Sequence, residues 1–138
     1  MKATYPKSTV AVAKFIKKNW GGCSTWNMES LLTWLQWHVD KGRFIGVKMG
    51  GAIVGVVLFR MIDSEEDVET SEYADTGGKL CYIALCVSEA KEVIRAMYGV
   101  LWDEALNKCD RVCWARTGKD LRKSYVSVSQ LGRRLGYG

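Results

Sequence analysis

Residues 79–95 read KLCYIALCVSEAKEVIR, and this stretch decides the fold. Its first nine residues are almost continuously apolar, which predicts a buried strand. Ser88 follows directly and predicts the N-cap of a long helix that runs to about Lys108. Glu89 and Glu92 then lie near the positive end of the helix dipole, where carboxylates are favourable.

Downstream, a second apolar run predicts another strand over residues 111–116, RVCWAR. A strand, a helix and a strand in succession favour a parallel pair joined by a right-handed crossover. In the tail, the sequence predicts a short helix over residues 127–135.

Upstream, apolar residues recur at helical spacing in two segments. The first predicted helix begins at Ser8 or Thr9 and ends before Gly21. The second runs from its cap, Asn27, to Asp40 and carries a wide apolar stripe.

Two extended runs, residues 43–49 and 52–60, flank Gly50 and Gly51. Two glycines tolerate the positive φ of a tight turn, so this segment predicts a β-hairpin. The whole order is helix, helix, hairpin, strand, helix, strand, helix. It predicts a single mixed α/β domain over residues 1–138.

The composition excludes several classes of protein. A hydrophobic content of 48% with 25% charged residues is ordinary for a globular domain and excludes a disordered chain. The apolar run at 50–59 is too short to span a bilayer, and no secretion signal begins the chain. Five cysteines without a C-x-x-C pair favour reduced thiols and a cytoplasmic location.

Charge is unevenly distributed along the chain. Residues 63–75 hold seven acids and no base, so the rest of the chain carries a net charge of +12 although the total is +5. An acidic loop on a basic body can leave that body free to attract an anion, or it can fold back onto it. A third reading is a solvated, mobile loop.

The order of elements resembles the GNAT acetyltransferase superfamily over nearly the whole chain. Residues 42–59, GRFIGVKMGGAIVGVVLF, look like the family's second and third strands. Residues 133–137, RRLGY, look like the end of its final helix. The resemblance implies a mixed sheet with an antiparallel hairpin and a parallel pair, flanked by helices. It also implies acetyl-CoA as the cofactor and an amine as the acyl acceptor.

The resemblance places the cofactor site where the central strand meets the long helix. The backbone from Leu85 to Val87 would hold the thioester oxygen. Ser88, Lys91 and Arg95 would contact the phosphates, since a helix N-terminus attracts anions.

The sequence departs from the family at that junction. The family has a Q/R-x-x-G-x-G/A loop there, whereas this chain has no glycine between Gly78 and Gly99. Glu92 and Ile94 fall near the family's glycines. The likeness is therefore to a degenerate member that lacks the glycine-rich acetyl-CoA loop.

The catalytic groups and the C-terminal part of the sequence also differ from the family pattern. The family's last helix carries a tyrosine that protonates the leaving thiolate, and its place falls here at Gly132. Tyr125 is a substitute acid on this reading. The predicted strands contain no aspartate or glutamate to serve as a base. The two C-terminal strands of the family are expected to be absent.

These departures favour an alternative: a non-catalytic module of the same fold, such as a phage or virion structural or accessory protein. Trp34 and Trp37 lie on a stripe that one core face cannot fully bury, which predicts a protein-binding remnant on the Trp-rich helix. Basic residues in the tail would hold phosphates of CoA or of nucleic acid, or form a solvated surface; they are Arg116, Lys119, Arg122, Lys123, Arg133 and Arg134. Such a protein would be virion-associated.

Metal and thiol chemistry are not indicated. His38 is the only histidine, which argues against a histidine metal site or a catalytic triad. The cysteine spacing is that of buried apolar residues rather than of a zinc site. The acidic segment lacks the glycine and spacing of a calcium loop. No membrane partner is expected.

Overall fold

A computed structural model of the chain shows a mixed sheet of six strands with helices against it. The strands follow one another in the sheet in chain order, from β1 to β6. The structure describes residues 2–4, 9–19, 26–64, 66–67, 71, 73–115 and 123–127.

The two N-terminal helices lie close to their predicted positions. Helix α1 spans Thr9–Asn19 and buries Val12, Ala13, Phe15 and Ile16. Helix α2 spans Met28–Asp40. The Asn27 carboxamide oxygen accepts a hydrogen bond from the Ser30 amide at 2.7 Å, which confirms the predicted cap. Gly42, at φ 71°, lets the chain turn out of the helix.

Strands β2 (Phe44–Met49) and β3 (Ala52–Ile62) form the predicted hairpin. Gly50 and Gly51 have φ of 60° and 82°, as a two-residue turn with both residues left-handed requires. The register shifts between Val47 and Lys48, so β3 carries one extra residue near its start.

Strand β4 (Leu80–Ser88) pairs in parallel with β5 (Arg111–Ala115). Helix α3 (Lys91–Glu104) and one 3-10 turn (Leu106–Lys108) connect them. The predicted parallel pair is confirmed, and the helix is shorter at both ends than predicted.

Strands β3 and β4 run antiparallel. The Glu89 amide, just after β4, donates to the Val54 carbonyl near the start of β3 at 2.9 Å. Ile62, which ends β3, packs with Leu80, which begins β4. The antiparallel pairing of β3 with β4 therefore joins the hairpin to the parallel pair of β4 and β5, as the expected mixed sheet requires.

Two strands were not predicted. Strand β1 (Lys2–Thr4) pairs antiparallel with β2, and β6 (Lys123–Ser127) pairs antiparallel with β5. Ser127, expected to begin the tail helix, ends β6 instead because it continues the ladder opposite Arg111. The rest of that predicted helix lies outside the described residues.

The described chain divides into two compact units. The first comprises Met1–Leu58 and Leu85–Met97, and the second comprises Phe59–Ala84 and Tyr98–Gly138. In the first unit, α1 and α2 pack together, and Leu31, Leu35 and Phe44 are fully or almost fully buried. No helix in the described part of the chain has the length and apolarity that crossing a bilayer requires.

In the second unit, Ile62, Leu80 and Cys113 form a small core with Tyr82 packed against it. Arg60, also buried, lies 5.1 Å from the Tyr82 ring centroid and donates to the Ser71 carbonyl at 3.1 Å. The amides of Thr76 and Gly77 both donate to the Met61 carbonyl. These contacts anchor the far end of the acidic segment to β3.

Candidate functional site

In the described part of the chain, β5 pairs with only the first half of β4. Pairing between β4 and β5 covers Leu80 to Ile83 on one strand and Arg111 to Trp114 on the other. Strand β4 continues five residues beyond the last of these pairs, from residue 84 to residue 88. No described residue of β5 pairs with the main-chain amides and carbonyls that face away from β3 in this stretch, and groups of this kind can bind an extended ligand.

Side chains in this stretch alternate between buried and open. Leu85 and Val87, both predicted to lie in the site, are only 3% and 5% exposed. They therefore contribute backbone groups rather than side chains. Cys86 and Ser88 lie on the other face of the strand, and Cys86 is exposed whereas Ser88 is half-buried.

Cys86 is poorly suited to act as a nucleophile. Its side chain reaches solvent, yet the neighbouring chain still desolvates the sulfur and raises the pKa of the thiol to about 11. The thiol therefore stays protonated at neutral pH, and the thiolate is the nucleophilic form.

The junction between β4 and α3 differs from the predicted one. Ser88 is the last residue of β4, not the cap of α3. The cause is the hydrogen bond from the Glu89 amide to Val54, which keeps the chain extended past Ser88. The helix begins at Lys91, and the Val93 amide donates to the Ala90 carbonyl at 3.1 Å.

Among the residues that the structure describes, the first amides of α3 have no acceptor. No described residue accepts a hydrogen bond from the amides of Ala90, Lys91 or Glu92. Ala90, which occupies the cap position, has no side-chain acceptor to offer. A helix N-terminus in this state carries unsatisfied donors that point along the axis.

Packing fixes where α3 begins. A Cβ atom added at Gly55 of β3 would lie 2.5 Å from the Met97 sulfur and 2.6 Å from Cγ1 of Val93. The first two turns of the helix thus lie directly against the strand. Sequence reasoning did not single out Gly55, because the glycine shows only as an interruption in an apolar run.

Charges at the start of α3 balance. Glu89, Lys91, Glu92 and Arg95 are all exposed. Two carboxylates and two cations leave the junction without a net charge. Lys91 and Arg95, both predicted to bind phosphate, lie in the first turns of the helix. The carboxylate of Glu92 lies in the same turns and that of Glu89 just before them, and both would repel a phosphate.

Tyr125, the predicted acid, lies in β6 opposite Cys113. It therefore lies in a strand, whereas the resemblance places the family's tyrosine on the last helix. Nothing in the described structure brings it to the end of β4. The basic tail lies outside the described residues, apart from Lys123, which begins β6.

Other residues considered in the sequence belong to the core. His38 is fully buried, and its Nδ1–H donates to the Trp34 carbonyl at 2.8 Å. Trp34 is only 4% exposed, because Trp26 and His38 pack edge-on against it. Trp37 is half-buried. The expected exposed remnant is therefore reduced to part of Trp37.

The described residues contain no cluster of three or more possible metal ligands. Two shallow depressions lie away from β4's second half. One, of about 470 Å³, lies between Thr9 and the outer face of α2. The other, of about 400 Å³, is lined by Asp63, Gly78, Lys79, Leu80, Asp110 and Arg111.

The sequence matches no family model and no curated protein. Solved structures resemble it at low identity. The GNAT-like decarboxylase GphF, in complex with isobutyryl-CoA, is 12% identical with a TM-score of 0.66; the match covers 100% of this chain and 73% of GphF. The loading GNATL domain of CurA from Lyngbya majuscula is 8% identical with a TM-score of 0.63.

The match to CurA covers 86% of this chain, which spans 66% of that domain. An N-acetyltransferase from Staphylococcus aureus Mu50 is 7% identical with a TM-score of 0.53, over 83% of this chain and 80% of the other. Identities this low concern the fold alone. With the mixed sheet, the parallel pair and the flanking helices already described, they show that this chain has the GNAT fold.

Proposed function

We propose that this chain binds an acyl thioester of pantetheine, with acetyl-CoA as the simplest example, and transfers the acyl group to an amine. The observation that carries the proposal is the early end of the β4–β5 pairing at Ile83. Pantetheine contains two amide groups in an extended arm. Such an arm can add to a strand edge as a peptide does, through main-chain hydrogen bonds.

The chemistry then depends on position and charge stabilisation. A main-chain amide between Leu85 and Val87 donates to the thioester oxygen. The acceptor nitrogen attacks the thioester carbon, the C–S bond breaks, and the pantetheine thiolate leaves. The amide proton donor stabilises negative charge that develops on the oxygen, and the arm's fixed position lowers the entropic barrier.

Proton transfer relies on water or on the acceptor itself. Strands β2, β3 and β4 carry no aspartate, glutamate or histidine. The acceptor amine must therefore lose its proton to solvent, and the rate should rise with pH until the amine is neutral. Tyr125 stays a prediction as the acid that protonates the thiolate; Tyr125→Phe should lower kcat about ten-fold or more if it holds that role.

The phosphate end of the donor would lie at the start of α3. The open amides of Lys91 and Glu92, the Ser88 hydroxyl and the side chains of Lys91 and Arg95 are the groups that would contact it. Glu89 and Glu92 oppose the same contact.

Calorimetric titration with acetyl-CoA, followed by a thiol-release assay with a panel of amines, tests the proposal. We expect saturable binding and amine-dependent release of the free thiol. The absence of binding heat, of a rise in melting temperature and of thiol release at millimolar acetyl-CoA would rule it out.

A second candidate is a non-catalytic module of the same fold. Two carboxylates at the helix start and strands without acid or base favour it. A net charge of +12 outside residues 63–75 suits an anionic partner such as nucleic acid. Salt-sensitive retention of DNA or RNA without thiol release would favour this candidate, which on the phage reading is virion-associated. Five cysteines without a C-x-x-C pair suit the cytoplasm.

A further inference from the structure

The two ends of the candidate site differ in how well they suit the parts of coenzyme A. The open half of β4 suits the pantetheine arm, whereas the start of α3 is poorly suited to the polyphosphate of coenzyme A. We infer that the acyl donor is a pantetheine thioester without pyrophosphate and nucleotide, such as acyl-4′-phosphopantetheine on a carrier protein. This inference rests on the proposed function and names the donor class of that site.

The first step of the argument concerns the backbone donors. The Glu89 amide is engaged by the Val54 carbonyl at 2.9 Å and is not available to a phosphate. The amides that are open begin at Ala90 and end at Glu92. This short group can serve one phosphate, whereas a pyrophosphate needs a longer run of converging amides.

The second step concerns charge. Coenzyme A carries a pyrophosphate and a further phosphate on its ribose. The carboxylates of Glu89 and Glu92 are both exposed at the helix start, and Glu92 already lies in the first turn, where the helix dipole favours an anion. A polyphosphate would meet no net positive charge there, because the two carboxylates offset Lys91 and Arg95, whereas an uncharged pantetheine needs none.

The third step concerns space. Close approach of phosphate to a helix start requires small residues, and here the first turns carry Glu92, Val93 and Ile94. Ile94 is 38% exposed, so its side chain stands on the outer surface of the helix. Val93 is held against Gly55, so the helix cannot rotate to relieve the crowding.

None of these obstacles reaches residues 84–88 of β4. The backbone there extends beyond the pairing with β5 and bears only the small side chains of Ala84, Cys86 and Ser88 on one face. The site therefore recognises the arm and the thioester, and the nucleotide adds little.

The test compares kcat/KM for four acetyl donors with one amine: acetyl-CoA, acetyl-pantetheine, acetyl-4′-phosphopantetheine and an acetylated carrier protein. We expect acetyl-4′-phosphopantetheine to equal or exceed acetyl-CoA. A higher kcat/KM with the acetylated carrier protein than with acetyl-4′-phosphopantetheine identifies the carrier protein as the source of the donor. Equal kcat/KM values for these two donors identify the free thioester. An advantage of acetyl-CoA over the pantetheine donors of about 100-fold, the worth of several phosphate contacts, would overturn the inference but leave the proposed function intact. Failure of all four donors would overturn both.

A charge variant distinguishes electrostatic repulsion of the coenzyme A phosphates from poor steric fit at the helix start. Glu89→Gln with Glu92→Gln should raise kcat/KM for acetyl-CoA about five-fold, because each carboxylate at a helix start is worth a fraction of a kcal/mol. The value for acetyl-pantetheine should stay within about two-fold, since this donor carries no phosphate. Asp103→Asn with Glu104→Gln, an equal change of two charges near the other end of α3, is the matched control and should alter neither value. An unchanged ratio of the two donors in the double variant would contradict the inference.

Discussion

Helices α2 and α3 begin in opposite ways. At α2, the Asn27 side chain accepts from the Ser30 amide at 2.7 Å, and the Asn27 carbonyl accepts from Leu31. At α3, Ala90 occupies the cap position, and no described residue accepts from the amides of Lys91 or Glu92. One helix start is satisfied by its own sequence, and the other is left open.

The difference shows how each helix is held in place. A side-chain cap stabilises a helix start by about 1 kcal/mol, and α2 uses one. Helix α3 relies instead on tight packing at Gly55 and on the hydrogen bond that ties Glu89 to Val54. Because packing fixes its position, α3 can keep its first amides open without losing its place against the sheet.

Gly55→Ala attacks the packing that holds α3 and should have the largest effect. The added Cβ would lie within 2.6 Å of both Val93 and Met97. We expect a loss of about 2 kcal/mol in the free energy of unfolding, as for other overpacked sites. Urea denaturation measures it. Gly55→Ala combined with Val93→Ala should lose less than the sum of the two single variants, and strict additivity would contradict a direct contact.

Asn27→Ala removes the cap of α2. We expect a loss of about 1 kcal/mol in unfolding free energy, since the Ser30 amide loses its acceptor. Asn27→Asp is the control and should keep most of the stability, because a carboxylate also accepts. Acyl-thioester binding should not change in either variant; a loss of binding would show that the two helix starts are not independent.

Ala90→Asp gives α3 the cap that α2 already has. The new carboxylate should accept from an open amide and raise the free energy of unfolding by about 0.5 kcal/mol. It should also weaken binding of acetyl-4′-phosphopantetheine, because it occupies the same donors. Ala90→Asn caps the helix without adding a charge. It therefore distinguishes occupation of the amides from electrostatic repulsion of the phosphate. Unchanged binding in both variants would show that the phosphate lies elsewhere.

Ser88→Ala should have the smallest effect on stability. A capping serine would cost about 1 kcal/mol on removal, whereas Ser88 ends β4 and should cost less than about 0.5 kcal/mol. Urea denaturation beside Asn27→Ala gives the direct comparison. Equal losses in the two variants would mean that Ser88 caps α3 after all.

Local patterns predicted most of the fold. The cap at Asn27, the glycine pair of the hairpin and the apolar run of β4 each act through neighbouring residues, and all three are confirmed. The parallel pair followed from the order of elements, because a strand, helix and strand in series favour one topology.

Long-range contacts account for what the sequence did not reveal. Ser88 has the residue type of a cap, but the Glu89–Val54 hydrogen bond moves the helix start two residues on, so that Ala90 takes the cap position. Strand β6 forms only because β5 offers an edge, and the sequence of Tyr125 and its neighbours is too short and polar to predict it. The burial of Trp34 depends on Trp26, which lies outside α2.

The place of the candidate site comes from the resemblance and stays a prediction. The resemblance directed attention to Leu85, Val87 and the helix start. The described pairing between β4 and β5 ends at Ile83, just before these residues. The absent glycines were visible in the sequence. The close packing of Val93 and Met97 on Gly55, which holds α3 against β3, was not.

An amide NMR titration with acetyl-pantetheine tests the central claim most directly. Binding should shift and protect the main-chain amides of residues 84–88, while those of Gly50 and Gly51 at the hairpin turn stay unchanged. Saturable binding that leaves residues 84–88 unperturbed would contradict the account, because the arm would then be held somewhere other than the half of β4 that has no described pairing with β5.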